Sequence, residues 1–242
     1  MKSIITQNVK SMSKIKQAII LAGGKGTRLK PYTISMPKPL VPVGGKPILE
    51  NVISNLKKSG FKKIILTVNH MADMIMAYFG DGEKFGVDIE YTVEDMPLST
   101  MGPLKLVKNL DDDFLVINGD VLTDLDFSSL LNKHKRGGQI FTIAAYKRIE
   151  KIDYGVLKID SNNNLKKMEE KPKKEFLVSM GVYAVSKKVL DFIPQNKFFG
   201  FDHLMERLIE KDKPVKVLRY EGYWLDIGRP SDYEKAIKKF GN

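Results

Sequence analysis

The stretch AIILAGGKGTRLKPYT, residues 18–33, decides how the rest of the chain is read. Five apolar or small residues, Ala18 to Ala22, make a run of the length of a buried strand, and it stops at Gly23-Gly24. Gly26, Thr27 and Arg28 follow at once, with Pro31 close behind. Glycines allow positive φ and carry no Cβ, so backbone N–H groups can close on an anion. In open α/β sheets, ligands bind at the carboxyl ends of strands, which is where this turn falls. Two common phosphate loops are excluded. GGKGTRLK lacks the G-x-x-x-x-G-K-[ST] spacing, and Gly24-x-Gly26 meets Leu29 where the dinucleotide fingerprint needs its last glycine. What remains is a glycine turn with an embedded guanidinium, Arg28, and an ammonium, Lys38, in PKPLVPV. Arg offers a planar fork to phosphate oxygens and Lys a point charge. Taken alone, the same glycines also suit a plain tight turn beside a surface arginine.

Outward from this turn, strand and helix signals alternate. A helix is expected over residues 47–59, with Pro47 in its first turn, an apolar stripe of Ile48, Leu49, Val52, Ile53 and Leu56, and Gly60 at its end. KIILTV (63–68) reads as a β-branched strand, 72–79 as a helix and 87–93 as a strand. Residues 104–109 read as a short helix, 114–117 as a buried strand closed by Asn118-Gly119-Asp120, and 127–135 as a helix. This order predicts a mainly parallel sheet with helices on both faces. The second half changes character: IFTIAAYK, YGVLKID, LKKMEEKP, VSMGVYAVS, 215–220 and YWLDIG read as strands. Helices are expected over 187–192, 201–210 and 230–240. The division expected is a polar tail over residues 1–14, then one domain over 15–242. Residues 15–136 form its nucleotide-side half and 137–242 a lid-like half with a mixed sheet. No repeat or low-complexity tract appears.

Composition narrows the classes. The 242 residues are 43% hydrophobic and 29% charged, ordinary for a globular chain. No apolar run is long enough to span a membrane, and the start of the chain has no signal-peptide h-region. Without cysteine there is no disulfide and no thiolate metal site, which fits a reducing cytoplasm. His70, His134 and His203 lie far apart and show no metal-ligand spacing. The formal charge of +11 comes from 40 basic residues, only six of them Arg. Scattered lysines describe a solvated surface better than a nucleic-acid reader, yet the field still attracts small polyanions.

The longer string LAGGKGTRLKP followed by PKPLVPVGGKPILE resembles the signature of the sugar nucleotidyltransferases. The resemblance continues in order through MPLSTMGPL, VINGDVL, DYGVLKID, MEEKP, SMGVYAVS and YWLDIGRP, covering about residues 17–235. It implies an α/β, Rossmann-like α/β/α nucleotidyltransferase (GT-A-like) fold with a mixed central sheet and a smaller sugar-binding β subregion. It implies the reaction NTP + sugar 1-phosphate → NDP-sugar + pyrophosphate. It also implies roles. Gly23, Gly24, Gly26, Thr27 and Arg28 would wrap the triphosphate, with Arg28 and Lys38 neutralising it and Gly119 beside them. Leu21 and Ala22 would flank the base, together with Glu94, Ser99, Thr100 and Gly102. Asp120 and Asp226 match a pair of aspartates that hold Mg²⁺ or Mn²⁺. Lys171 would grip the sugar phosphate and Glu170 the sugar hydroxyls. Gly155 and Gly181 would lie against the sugar. By residue type Tyr183 and Trp224 could stack on it, but a lone Trp beside an apolar strand is more often core packing. Arg28, Lys38, Asp120 and Lys171 are thus the candidate catalytic set.

By resemblance to short mannose-1-phosphate guanylyltransferases and relatives acting on heptose or amino-sugar phosphates, GTP is the lead nucleotide. UTP, CTP and dTTP remain alternatives. The partners expected are small molecules, with no nucleic acid and no membrane; a homo-oligomer is compatible with this reading. One motif departs from its relatives. The usual L-G-T-A-G is Leu98-Ser99-Thr100-Met101-Gly102 here, and Ser99 and Met101 are expected to add bulk where a base would lie. That departure is the support for a rival, a catalytically silent nucleotide-sugar binder. A second rival is a glycosyltransferase, which would want a metal-binding D-x-D. Asp124-Leu125-Asp126 has that form but reads better as a turn and a cap before Phe127.

Overall fold

A computed structural model describes residues 16–240. The expected tail over 1–14 lies outside the described residues. The first half runs β1 (Lys16–Leu21), β2 (Pro42–Val43), β3 (Lys46–Pro47), α1 (Ile48–Lys58), β4 (Phe61–Val68), α2 (Ala72–Phe79), β5 (Asp88–Val93), β6 (Asp113–Asn118), β7 (Val121–Thr123) and α3 (Phe127–Gly137). The second half runs β8 (Phe141–Lys151), β9 (Gly155–Ile159), β10 (Leu165–Glu170), β11 (Lys173–Ser186), α4 (Phe201–Glu210), β12 (Val215–Tyr220), β13 (Trp224–Asp226) and α5 (Pro230–Phe240).

Seven strands form one sheet in the order β12-β8-β11-β6-β1-β4-β5. β6, β1, β4 and β5 are mutually parallel. β11 runs antiparallel between β6 and β8, which makes the sheet mixed. β8, β11 and β12 of the second half therefore complete the sheet begun by the first.

Period-two alternation divides the apolar side chains between two layers. Ala18, Ile20, Leu115 and Ile117 pack against the stripes of α1, α2 and α3. Ile19, Phe114 and Val116 pack on the other face against Leu204 and Leu208 of α4. Asp126 caps α3 by accepting from the Ser128 and Ser129 N–H groups, so the D-x-D string serves local structure there. No described helix is long and apolar enough to cross a membrane.

Three local expectations need correction. Pro47 stands just before α1 and belongs to the β2–β3 ribbon, because its φ is spent with an extended ψ of 144°. The expected helix over 104–109 is a 3₁₀ turn at Gly102–Lys105, opened by Gly102-Pro103. The strand expected over 178–186 begins at Lys173, and its first half pairs with the outer half of β8.

Candidate active site

The four parallel strands end on one cleft of about 570 Å³. Hydrogen bonding continues past the strand ends and holds the first loop residues in register. Ala22 N–H donates to Thr67 O at 2.9 Å, Gly119 N–H to Leu21 O at 3.0 Å and Glu94 N–H to Val68 O at 2.9 Å. The glycine turn rises from this edge. Gly26 has φ +63°, and a methyl group there would meet Thr33 Cγ2 at 3.0 Å and Lys38 Cβ at 3.1 Å. Thr33 fixes the turn by donating from Oγ1 to Gly26 O at 2.8 Å. A methyl group on Gly23 would stand 2.7 Å from Glu94 Oε1, so only glycine lets the turn lie against that carboxylate.

Of the residues expected from sequence, Leu21, Ala22, Gly23, Gly24, Gly26, Thr27, Arg28, Lys38, Glu94, Ser99, Thr100, Gly119 and Asp120 line this cleft. Asp226 joins them from behind. β13 pairs with β7, setting Asp226 opposite Val121, and Ile227 N–H donates to Asp120 O at 3.1 Å. A small separate core holds Leu29 beside Arg28 and Ile227 beside Asp226, with Leu122 and with Tyr233 and Ala236 of α5; Val121, beside Asp120, packs in the larger core. Sequence-distant charges are thereby fixed through buried apolar neighbours.

The resulting cluster is two cations and two carboxylates. Lys38 forms an ion pair with Asp120 Oδ2. Asp120 Oδ1 is buried and has no hydrogen-bond partner among the described residues. Burial, and then the charge of Asp120, push the Asp226 carboxyl up to about 6; Lys38 and Arg28 act in the opposite direction. Two repelling carboxylates with an unsatisfied oxygen fit a hard divalent cation. No described group of three or more His, Cys, Asp or Glu could hold a metal, so phosphate and water would have to complete such a coordination sphere.

Around the base end of the cleft, Glu94 is buried, and burial raises its pKa against the opposing hydrogen bond from Leu98 N–H. Leu98 N–H reaches Oε2 at 3.0 Å, leaving Oε1 toward Gly23. Ser99 sits at φ +66°, a conformation that favours glycine and matches the glycine usual at this position. Met101 does not crowd a base: it is fully buried, packed with Ile19, Ile65 and Leu104 under the sheet. The bulk expected there points into the core because the 3₁₀ turn starting at Gly102 rotates the side chain away from the cleft. Gly102 is buried behind the cleft, with Leu98 and Lys197 filling the space a side chain would need.

The sugar-side residues are placed differently. Glu170 and Lys171 are exposed at the end of β10, with Gly155 opposite Glu170 and Lys171 at φ +43°. None of the three lines the cleft. Gly181 has φ +71°, and the Asn118 side chain occupies the position a Cβ would take. The Tyr183 ring is buried and stacks on Phe201 with centroids 4.9 Å apart, so no face is left for a sugar. Its hydroxyl accepts from Ser179 Oγ at 3.1 Å, and burial pushes its pKa up to about 12. Trp224 packs on Tyr146 and donates from Nε1 to Met180 O at 2.9 Å, a core role.

Sequence reasoning missed Thr67, Asn69 and Phe198, which also line the cleft. Thr67 and Asn69 were detectable as polar residues at the end of KIILTV, in a strand whose carboxyl end faces the site. Phe198 carried no local signal. It is placed by Phe199, whose carbonyl accepts from Met101 N–H at 3.0 Å and Gly102 N–H at 2.9 Å.

Comparison with known proteins bears on this arrangement. A family model described as Nucleotidyl transferase matches residues 17–242. The chain is 38% identical to the D-glycero-alpha-D-manno-heptose 1-phosphate guanylyltransferase of Campylobacter jejuni, covering 90% of this chain and 96% of that one. It is 36% identical to a mannose-1-phosphate guanyltransferase of Candida albicans, over 90% of this chain. It is 34% identical to a UTP–glucose-1-phosphate uridylyltransferase of Synechocystis, over 92% of this chain. It spans 62% of the length of each of the last two. Among solved structures, HddC from Yersinia pseudotuberculosis complexed with GMP-PN superposes with a TM-score of 0.72 at 30% identity, covering 93% of this chain and all of that one.

Proposed function

The chain belongs to the nucleotidyl transferase family, and from that premise we propose that it joins a nucleoside triphosphate, GTP by preference, to a sugar 1-phosphate with release of pyrophosphate. The observation that carries this reading is the convergence of Arg28, Lys38, Asp120 and Asp226 beside a glycine turn at the carboxyl edge of four parallel strands.

A phosphate oxygen of the sugar 1-phosphate forms a bond to the α-phosphorus as the bond from that phosphorus to the α,β-bridging oxygen breaks. The electron pair departs with pyrophosphate. The attacking phosphate is already anionic, so no side chain needs to remove a proton. The protein's task is to align two anions and offset their repulsion. The open backbone at Gly24 and the N–H groups of the turn suit the triphosphate, and Arg28 and Lys38 suit its charge. Asp120 and Asp226 would hold Mg²⁺ or Mn²⁺, which when bound would neutralise phosphate oxygens. Lys171 and Glu170 are proposed to receive the sugar phosphate and its hydroxyls.

Glu94 supports the choice of GTP. An acceptor-only carboxylate complements the adjacent N1–H and N2–H₂ donors of guanine. Uracil and thymine offer one donor between two carbonyls, which a carboxylate repels. Two relatives are named as using guanine nucleotides and one as using UTP. The substrate proposed is a mannose-, heptose- or amino-sugar-type 1-phosphate. With Met101 in the core and Ser99 in a glycine-like conformation, the departures that favoured a silent binder lose their force. Pyrophosphate release from each of four NTPs with several sugar 1-phosphates tests the proposal. GTP is expected to lead, and absence of release with every pair would overturn it.

A further inference from the structure

Part of the cleft wall near Glu94 comes from the second half of the chain. Phe198 lines the cleft. At 63% exposed it is the most open of the described phenylalanines. A single exposed ring on a protein surface needs no explanation by itself. What sets this one apart is how firmly its backbone is held, and against what.

The next residue, Phe199, is buried with Met101 and Leu104. Phe199 N–H donates to Leu98 O at 3.0 Å, and Phe199 O accepts from the Met101 and Gly102 N–H groups. Phe201 N–H donates to Thr100 Oγ1 at 2.8 Å. A Cβ on Gly102 would meet Lys197 O at 2.9 Å, and one on Gly200 would stand 3.3 Å from Ser99 Oγ, so the two segments lie close along their length. Leu98 is the residue they share with the base end of the cleft. Its N–H reaches Glu94 Oε2 at 3.0 Å, and its carbonyl holds Phe199. The backbone that presents the Phe198 ring is thereby tied to the Glu94 carboxylate through one residue. The ring itself is left open. Among the described residues it meets one other ring, His203, edge-on with centroids 6.4 Å apart.

We propose that Phe198 stacks on the nucleobase whose edge Glu94 reads. The inference rests on the cleft being a nucleotide site and not on the transfer that follows. Every base has a flat π face, so an aromatic ring accepts it whatever its edge carries, whereas a carboxylate selects the edge by its donors. Phe198 therefore supplies affinity for a base, and Glu94 the choice among bases. An open phenyl ring gains on binding the apolar burial that the fold denies it.

Calorimetric titration of the full chain with GTP and Mg²⁺, in the absence of any sugar 1-phosphate, tests this. Inorganic tripolyphosphate, which has the phosphates and no base, is the second probe. Phe198→Ala is expected to weaken GTP binding about tenfold and to leave tripolyphosphate binding unchanged. Phe198→Tyr, which keeps the ring, should bind GTP as the wild type does. Equal GTP affinity in Phe198→Ala and wild type, or a Phe198→Tyr variant as weak as Phe198→Ala, would overturn the stacking and leave the proposed reaction standing. An equal loss for tripolyphosphate would also overturn it, because the effect would then lie in the cleft as a whole and not at the base. A wild type that binds neither probe would overturn both readings. One that binds GTP with the expected dependence on residue 198, yet releases no pyrophosphate with any sugar 1-phosphate, would remove the reaction alone.

Discussion

The glycine turn and the β9–β10 ribbon carry residues of the same proposed reaction, yet they are held in opposite ways. Arg28 and Asp226 stand next to Leu29 and Ile227 of one small buried core, and Asp120 stands next to Val121 of the large one. Glu170 and Lys171 stand on an exposed ribbon outside the cleft, with Gly155 opposite Glu170. The nucleotide side is thus preorganised by the packing of a single chain. The proposed sugar side depends on whatever orders the ribbon. Rigid support is what turns placed charge into transition-state stabilisation, so the two regions should respond differently to the same insult.

The largest effects belong to the packed region. Arg28→Ala and Asp120→Ala should each lower turnover by ~10²-fold or more, read as pyrophosphate release, with an unchanged circular dichroism spectrum. Near-normal turnover in either variant would remove the basis of the contrast. Ile227→Ala, which touches no substrate, should cost about 2–5 kcal/mol in urea unfolding. It should also reduce turnover, because the buried Ile227 side chain anchors the segment that carries Asp226 beside Asp120. If stability falls and turnover does not, the small core is structural only.

An intermediate effect is expected at the base. Glu94→Gln replaces an acceptor-only group by one that also donates. The ratio of kcat/KM for GTP over UTP should fall by about tenfold, equivalent to ~1.4 kcal/mol. An unchanged ratio would place base selection elsewhere in the cleft.

The smallest effect belongs to the ribbon's charged face. Side-chain hydrogen bonds from Lys167 and Lys158 lower the Glu169 pKa to about 2. A depressed carboxyl adds stability above its unfolded pKa and loses it as pH falls through about 2, so nothing should change near neutrality. Because both lysine partners stand in solvent, Glu169→Gln should shift the melting temperature by less than about 2 °C at pH 7. A larger shift would mean that this face is buried in the working protein and that the contrast between the regions is overstated.

Legibility followed the range of the interaction. α2, α4, β12 and α5 have the bounds that periodicity, glycine stops and proline starts indicate, because those signals act within a few residues. The glycine turn and Arg28 were legible as chemistry at a strand's end, Lys38 as a nearby charge and Asp120 through the family resemblance, and the cleft is lined by all of them. Tyr183 was read as a possible sugar platform because aromatic type says nothing about which face is covered, and Phe201 covers it; for Trp224 the core-packing reading is the one the structure has, against Tyr146. Gly181 was read as bare backbone for a ligand, and Asn118 takes that space.

By itself the sequence determined the alternation of strands and helices, the glycine-rich loop at a strand's carboxyl end and the identity of the charged groups. Only the tertiary structure decided that Asp226 meets Asp120, that Met101 turns into the core, and that Phe198 lines the cleft with Glu94. Each of these depends on a pairing between segments distant along the chain. Such pairings are fixed by the burial that the whole fold achieves, which no local run of residues contains.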